Sequence, residues 1–108
     1  MKLPPDTFIA QKKLTHYLLT WRQEDDKSEF LARAGYTLER AGQLEADLRH
    51  QLVPLETELL DHGEYGDKHV IRGRLKGPNG RVLPVVSIWM IESATGKAKF
   101  VTLYPNKT

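Results

Sequence analysis

The feature that most constrains this chain is a change of hydrophobic period at Pro54. Before it, apolar residues recur at helical spacing. After it, they fall into Val- and Ile-rich runs separated by glycine-containing turns. Leu14, Tyr17, Leu18 and Trp21 fall on one face of a first helix. Asp26-Lys27-Ser28-Glu29 has the form of a capping box; it opens a short helix through Phe30, Leu31 and Ala34, which Gly35 closes. Thr37 can cap a third helix with Leu38, Ala41, Leu44 or Glu45, Leu48 and Leu52 on its inner face. Strands are expected over Leu55–His62, Lys68–Lys76, Arg81–Glu92 and Lys97–Tyr104. The turns between them are His62-Gly63-Glu64-Tyr65-Gly66, Gly77-Pro78-Asn79-Gly80 and Ser93-Ala94-Thr95-Gly96. The expected fold is α+β, three N-terminal helices packed on one face of a four-stranded antiparallel β-meander. At 108 residues this is a single domain, with residues 1–53 helical and 54–108 forming the sheet.

Charge follows the same division. The net charge is only +2, yet residues 1–67 carry 8 Lys and Arg against 13 acids, a balance of −5. Residues 68–108 carry 8 against the single acid Glu92, a balance of +7. A basic half of this kind points to a polyanion, most often nucleic acid. The plainer alternative is that lysines on strand edges only deter unwanted pairing. With no cysteine, a disulfide framework, a thiol nucleophile and cysteine-ligated zinc or iron–sulfur sites are excluded. No apolar run approaches the ~20 residues of a membrane span, and Met1-Lys2-Leu3-Pro4-Pro5 lacks a signal peptide's apolar stretch, so a cytoplasmic location is expected.

Strand alternation turns charge into faces. Four-residue loops at Gly77–Gly80 and Ser93–Gly96 pair Lys76 with Arg81 and Glu92 with Lys97. Ile71, Leu75, Val82, Val86, Ile88, Met90, Val101 and Leu103 then face the helices, and Lys99 is the misfit among them. Lys68, Arg72, Arg74, Ser87, Trp89, Phe100, Thr102 and Tyr104 share the other face. Cations for phosphates, rings for bases and hydroxyls for the backbone make this an RNA-binding combination.

Lys68, Arg72 and Arg74 with Tyr104 across the sheet also suit metal-free RNA cleavage. The substrate's 2′-hydroxyl attacks phosphorus, cations hold the developing charge, and Tyr104 or Lys68 handles the proton. Equally, these side chains form an ordinary solvated face. His62, at a strand end, is the histidine best suited to acid–base work, or else a turn residue. His69 reads as a core or edge histidine, and His16 and His50 as structural. No two histidines stand at metal-ligand spacing, and the acids cluster in the helical half and first strand, away from the basic face, so neither a metal nor a cofactor is expected. Tyr65 lies at the rim of the basic face or only caps the hairpin, and Trp89 is either a base platform or a packing residue. Gly77-Pro78-Asn79-Gly80 reads as turn chemistry rather than a phosphate cradle.

Lys13-Leu14, Tyr17-Leu18-Leu19, Tyr65-Gly66-x-Lys68, Gly73-x-Leu75-x-Gly77-Pro78-Asn79-Gly80-Arg81, Trp89-x-Ile91 and Phe100-Val101-Thr102-Leu103-Tyr104-Pro105 together resemble a small, uncharacterised bacterial toxin-associated domain family. Its members stand alone beside antitoxin-like partners or form the C-terminal tips of larger toxins. The order of elements is also similar to the barnase–EndoU–colicin–RelE ribonuclease superfamily. That resemblance implies a metal-independent endoribonuclease with Lys68, Thr102 and Tyr104 in its site; Arg72 and Arg74 come from the spacing argument. It further implies RNA as substrate and an acidic antitoxin or immunity protein as partner. The other class of function is a non-catalytic RNA- or protein-binding module.

Overall fold

The computed structural model describes residues 1–21, 23 and 27–106. Asp26, the first residue of the expected capping box, lies outside the described residues. A short helical turn, Gln11–Lys13, runs on with wider spacing through Leu14–Leu18 (together α1). Next comes α2, Ser28–Ala32. The third helix begins as a tight turn over Leu38–Arg40, continues as Ala41–Asp47 and widens over Leu48–Leu52 (together α3). Strands β1 (Glu58–His62), β2 (Gly66–Lys76), β3 (Val82–Glu92) and β4 (Ala98–Pro105) form one antiparallel sheet in chain order. Among the described residues the fold is thus α+β, with three helical segments and a four-stranded meander.

The N-terminal arm was not foreseen. Lys2 bridges Glu56, and Phe8 bridges Lys99 in parallel, so the helices lie between extended pieces of chain rather than opening the domain. Phe8 N–H donates to the Ala98 carbonyl and accepts from Phe100 N–H through its own carbonyl, which covers part of the β4 edge.

The main core joins Leu14, Leu18, Leu31, Leu44, Leu48 and Leu52 from the helices to Ile71, Leu75, Val85, Trp89, Phe100 and Leu103 from the sheet. Two residues expected on the inner faces of the helices are outside it. Trp21 is exposed because α1 ends at Leu18, and Leu38 is exposed on the tight first turn of α3. Gly35 ends α2 region as expected, at φ 92°, a conformation that favours glycine. The β2–β3 hairpin docks there: Asn79 N–H donates to the Ala34 carbonyl at 3.2 Å, and Asn79 Nδ2 donates to the Arg33 carbonyl at 3.0 Å. Gly77 lies so close that a Cβ would stand 2.1 Å from the Ala34 oxygen. This loop is therefore a packing element.

Its length sets the register. Gly77 N–H donates to the Arg81 carbonyl, and the Asn79 side chain accepts from Arg81 N–H, so Arg81 belongs to the loop. Lys76 pairs with Val82, one residue beyond the expected Arg81. The shift turns β3 over: Val85, Ser87 and Trp89 face the helices, and Pro84, Val86, Ile88 and Met90 face away. Between β3 and β4, Trp89 pairs with Phe100 as expected, but Ile88 then pairs with Thr102. A bulge at Val101 absorbs the extra residue and turns the rest of β4 over. The two shifts cancel for Thr102 and Tyr104, which return to the side of Lys68, Arg72 and Arg74. They do not cancel for β3.

Candidate functional site on the outer sheet face

Rows of paired residues define the outer face. Arg72, Val86 and Tyr104 form one row, and Val70, Ile88 and Thr102 the next. Lys68, Met90 and Lys99 form a third. Lys99, expected on the helix-covered face, lies here because the start of β4 keeps its expected pairing with the inverted β3, and it pairs with Glu92 at 3.4 Å. Val70, Val86, Ile88 and Val101 make a second, smaller apolar cluster between the cations. The expected aromatic and hydroxyl platform is thus an aliphatic one.

Ser87 and Trp89, expected to bind RNA, are both 0% exposed. Trp89 meets Phe100 edge-on at 5.1 Å between ring centroids, and its Nε1 donates to Ser87 Oγ at 2.8 Å. Ser87 Oγ donates onward to the Ile71 carbonyl at 3.0 Å. Neither side chain can touch a base, and Phe100 is buried with them.

Strand geometry also separates the remaining candidates. Adjacent strands lie about 4.8 Å apart, so Arg72 and Tyr104 stand roughly 10 Å apart across Val86, within joint reach of one phosphate. Arg74 is the next outward residue along β2. Lys68 lies four residues from Arg72, roughly 13 Å along the strand, and does not converge with Tyr104. His62 is farther still, at the end of β1, where its Nδ1 lies 2.8 Å from Asp67 Oδ1. Tyr65 is 76% exposed in the turn beyond it. One end of the face therefore holds Arg72, Arg74 and Tyr104, and the other holds Lys68, Lys99, His62 and Tyr65.

The acids are nearer than the sequence suggested. β1 lies beside β2, and Glu58 on it accepts from Arg72 Nη1 at 2.8 Å. Asp61 pairs with Lys68 in the ladder. Both partners of the Arg72–Glu58 pair are more than half exposed, so the pair contributes little and opens readily to a competing anion. His69 is buried, with Nδ1 3.1 Å from Thr57 Oγ1.

A second cluster escaped the sequence reading. Lys27 is only 7% exposed, and its ammonium donates to Tyr17 Oη and Thr102 Oγ1, each at 2.8 Å. It also stands 4.9 Å from the Tyr17 ring centroid. Beside it, Lys12, Lys13, His16, Tyr17, Val101 and Thr102 line a groove of about 510 Å³ between α1 and β4. His16, expected to be structural, is exposed there. No sequence signal joins residues so far apart along the chain; the one local cue is that Lys13 stands four residues, about one helical turn, before Tyr17.

A family model described as a domain of unknown function, DUF6883, matches residues 5–107. The chain belongs to this family. No curated protein and no solved structure matches it. Among the described residues, no helix is long and apolar enough to cross a membrane.

Proposed function

We propose that this domain is a toxin-type, metal-independent endoribonuclease that cuts cellular RNA in the cytoplasm, with Arg72, Arg74 and Tyr104 at its reacting centre. The observation that supports this reading is the common projection of these three side chains around Val86, with Tyr104 41% exposed. In this reading the substrate's 2′-hydroxyl forms the new bond to phosphorus while the bond to the 5′-oxygen breaks. The arginines hold the charge on the phosphoryl oxygens, Arg72 exchanging Glu58 for the phosphate. The 2′-hydroxyl loses its proton to water as it attacks, and the Tyr104 phenol passes its proton to the departing 5′-oxygen and regains one from water. Lys68 and Lys99 hold the strand's phosphates farther along the face and are binding rather than catalytic residues. An acidic antitoxin or immunity protein would compete for the same cations.

The test is cleavage of total RNA and ribosomal RNA by the purified protein in EDTA. Tyr104→Phe is expected to slow cleavage about 100-fold, and Arg74→Ala about as much, while Lys68→Ala mainly weakens binding. Intact RNA after long incubation refutes the enzyme. The Arg72–Glu58 pair, together with the distance of Lys68 and His62 from Tyr104, favours one second reading, a non-catalytic RNA-binding module. It predicts salt-sensitive binding without turnover and no effect of Tyr104→Phe on RNA integrity.

A further inference from the structure

We propose that the groove between α1 and β4 is a phosphodiester-binding subsite, with Lys12 and Lys13 as cations and the Thr102 hydroxyl as donor. The inference rests on the RNA reading and deepens it, because Thr102 and Tyr104 are successive outward residues of β4, roughly 7 Å apart. A strand whose scissile phosphate lies at Tyr104 would present a neighbouring phosphate or nucleotide to the groove.

The bulge supplies the floor, because turning β4 over at Val101 brings Thr102 to the edge where α1 passes. At about 510 Å³ the groove has room for a nucleotide-sized group. Among the described residues that line it there is no acid, whereas Lys12, Lys13 and His16 all do.

The built part is the hydroxyl cluster. A buried ammonium is costly unless hydrogen-bonded, and here Lys27 is bonded to two hydroxyl oxygens that line the groove. A threonine hydroxyl has one hydrogen and accepts through its lone pairs. Thr102 Oγ1 accepts from Lys27, and the acceptors for its own hydrogen, Tyr17 Oη and the Leu103 carbonyl, lie at the long distances of 3.4 and 3.5 Å. An O–H donor prefers about 2.7–2.8 Å. An anionic oxygen entering the groove offers that hydrogen a better partner, and the nearby ammonium polarises the hydroxyl towards it.

The experiment is a two-dimensional NMR titration of the isotope-labelled full chain with a short 2′-O-methyl oligoribonucleotide, which binds as RNA but has no attacking hydroxyl. Inorganic phosphate and polyglutamate serve as separate probes. The expected shifts centre on Lys13, His16 and Thr102 with the oligonucleotide and are weaker with phosphate. Lys12→Ala with Lys13→Ala should lower oligonucleotide affinity about tenfold, the worth of one charge-assisted hydrogen bond, and reduce its salt dependence. Thr102→Val should lower it similarly, and Thr102→Ser should restore it. Because Lys12 and Lys13 stand outside the core, the lysine variant reports even if Thr102→Val fails to fold.

Shifts confined to Lys68, Arg72, Arg74 and Tyr104, unchanged affinity in the lysine variant, or a groove that answers only to polyglutamate would each overturn the subsite. Groove binding by a protein that leaves unmodified RNA intact keeps the subsite and refutes the nuclease. Cleavage with a silent groove does the reverse.

Discussion

Ser87→Ala and Trp89→Phe form a double-mutant cycle that tests the orientation of β3. Trp89 is the largest fully buried side chain, and its indole N–H reaches the Ile71 carbonyl through Ser87 Oγ in steps of 2.8 and 3.0 Å. Ser87→Ala removes hydrogen bonds worth about 1 kcal/mol and strands a buried donor, at a further ~1–2 kcal/mol. The sum, about 2–3 kcal/mol, lowers Tm by roughly 8–20 °C in a domain of this size. Trp89→Phe costs about 1–2 kcal/mol for lost volume but strands no donor. In that background Ser87→Ala should therefore cost only about 1 kcal/mol, giving a coupling of roughly 1–2 kcal/mol. Urea unfolding followed by far-ultraviolet circular dichroism measures all four corners without depending on indole fluorescence. A four-residue β2–β3 loop would instead put both residues on the outer face, where each substitution costs within about 0.5 kcal/mol. That result, with no coupling, would refute the register and restore Trp89 as a candidate base platform.

Gly77→Ala should destabilise the domain by about 2 kcal/mol or more, because a Cβ 2.1 Å from the Ala34 oxygen must push the hairpin off α2 and break both Asn79 hydrogen bonds. Gly80→Ala, with nothing within 4 Å of the added Cβ, should cost only the roughly 1–2 kcal/mol of its left-handed backbone, so thermal melts of the pair separate the two causes. Tyr36 gives a pH prediction: burial, then its hydrogen bond to Asp47, holds the phenol protonated far above its ordinary range. The unfolded phenol ionises near pH 10, so this group's stabilisation is complete below that pH and is lost as pH rises above it. Denaturant midpoints should fall in alkali less steeply for Tyr36→Phe, and tyrosinate absorbance should show one of the four tyrosines ionising only on unfolding. An unchanged slope, or early ionisation of all four, counts against the buried pair.

Because the signals are local, the sequence alone was enough for the order of the helices and the four strands, though not for the extended arm before them. The period change at Pro54, Gly35 after α2 and the turns at Gly63, Gly77–Gly80 and Gly96 each act within a few residues. Strand limits accordingly fell within three residues of those observed. The basic half was also legible, as was the shared side of Lys68, Arg72, Arg74, Thr102 and Tyr104, though only because two register shifts cancel. What the tertiary structure decided is parity and neighbourhood. One loop residue, Arg81, is held by the Asn79 side chain while the loop docks on α2, and this inverts every side chain of β3. That turns Ser87 and Trp89 inward and Val86 and Ile88 outward. The bulge at Val101, beside the arm strapped to β4, inverts the strand again. Side-chain direction repeats every two residues, so such one-residue events change which chemistry a face presents without disturbing the pattern of strands. The pairing of Arg72 with Glu58 and the meeting of Lys27, Tyr17 and Thr102 depend on elements distant in the chain, and only packing brings them together.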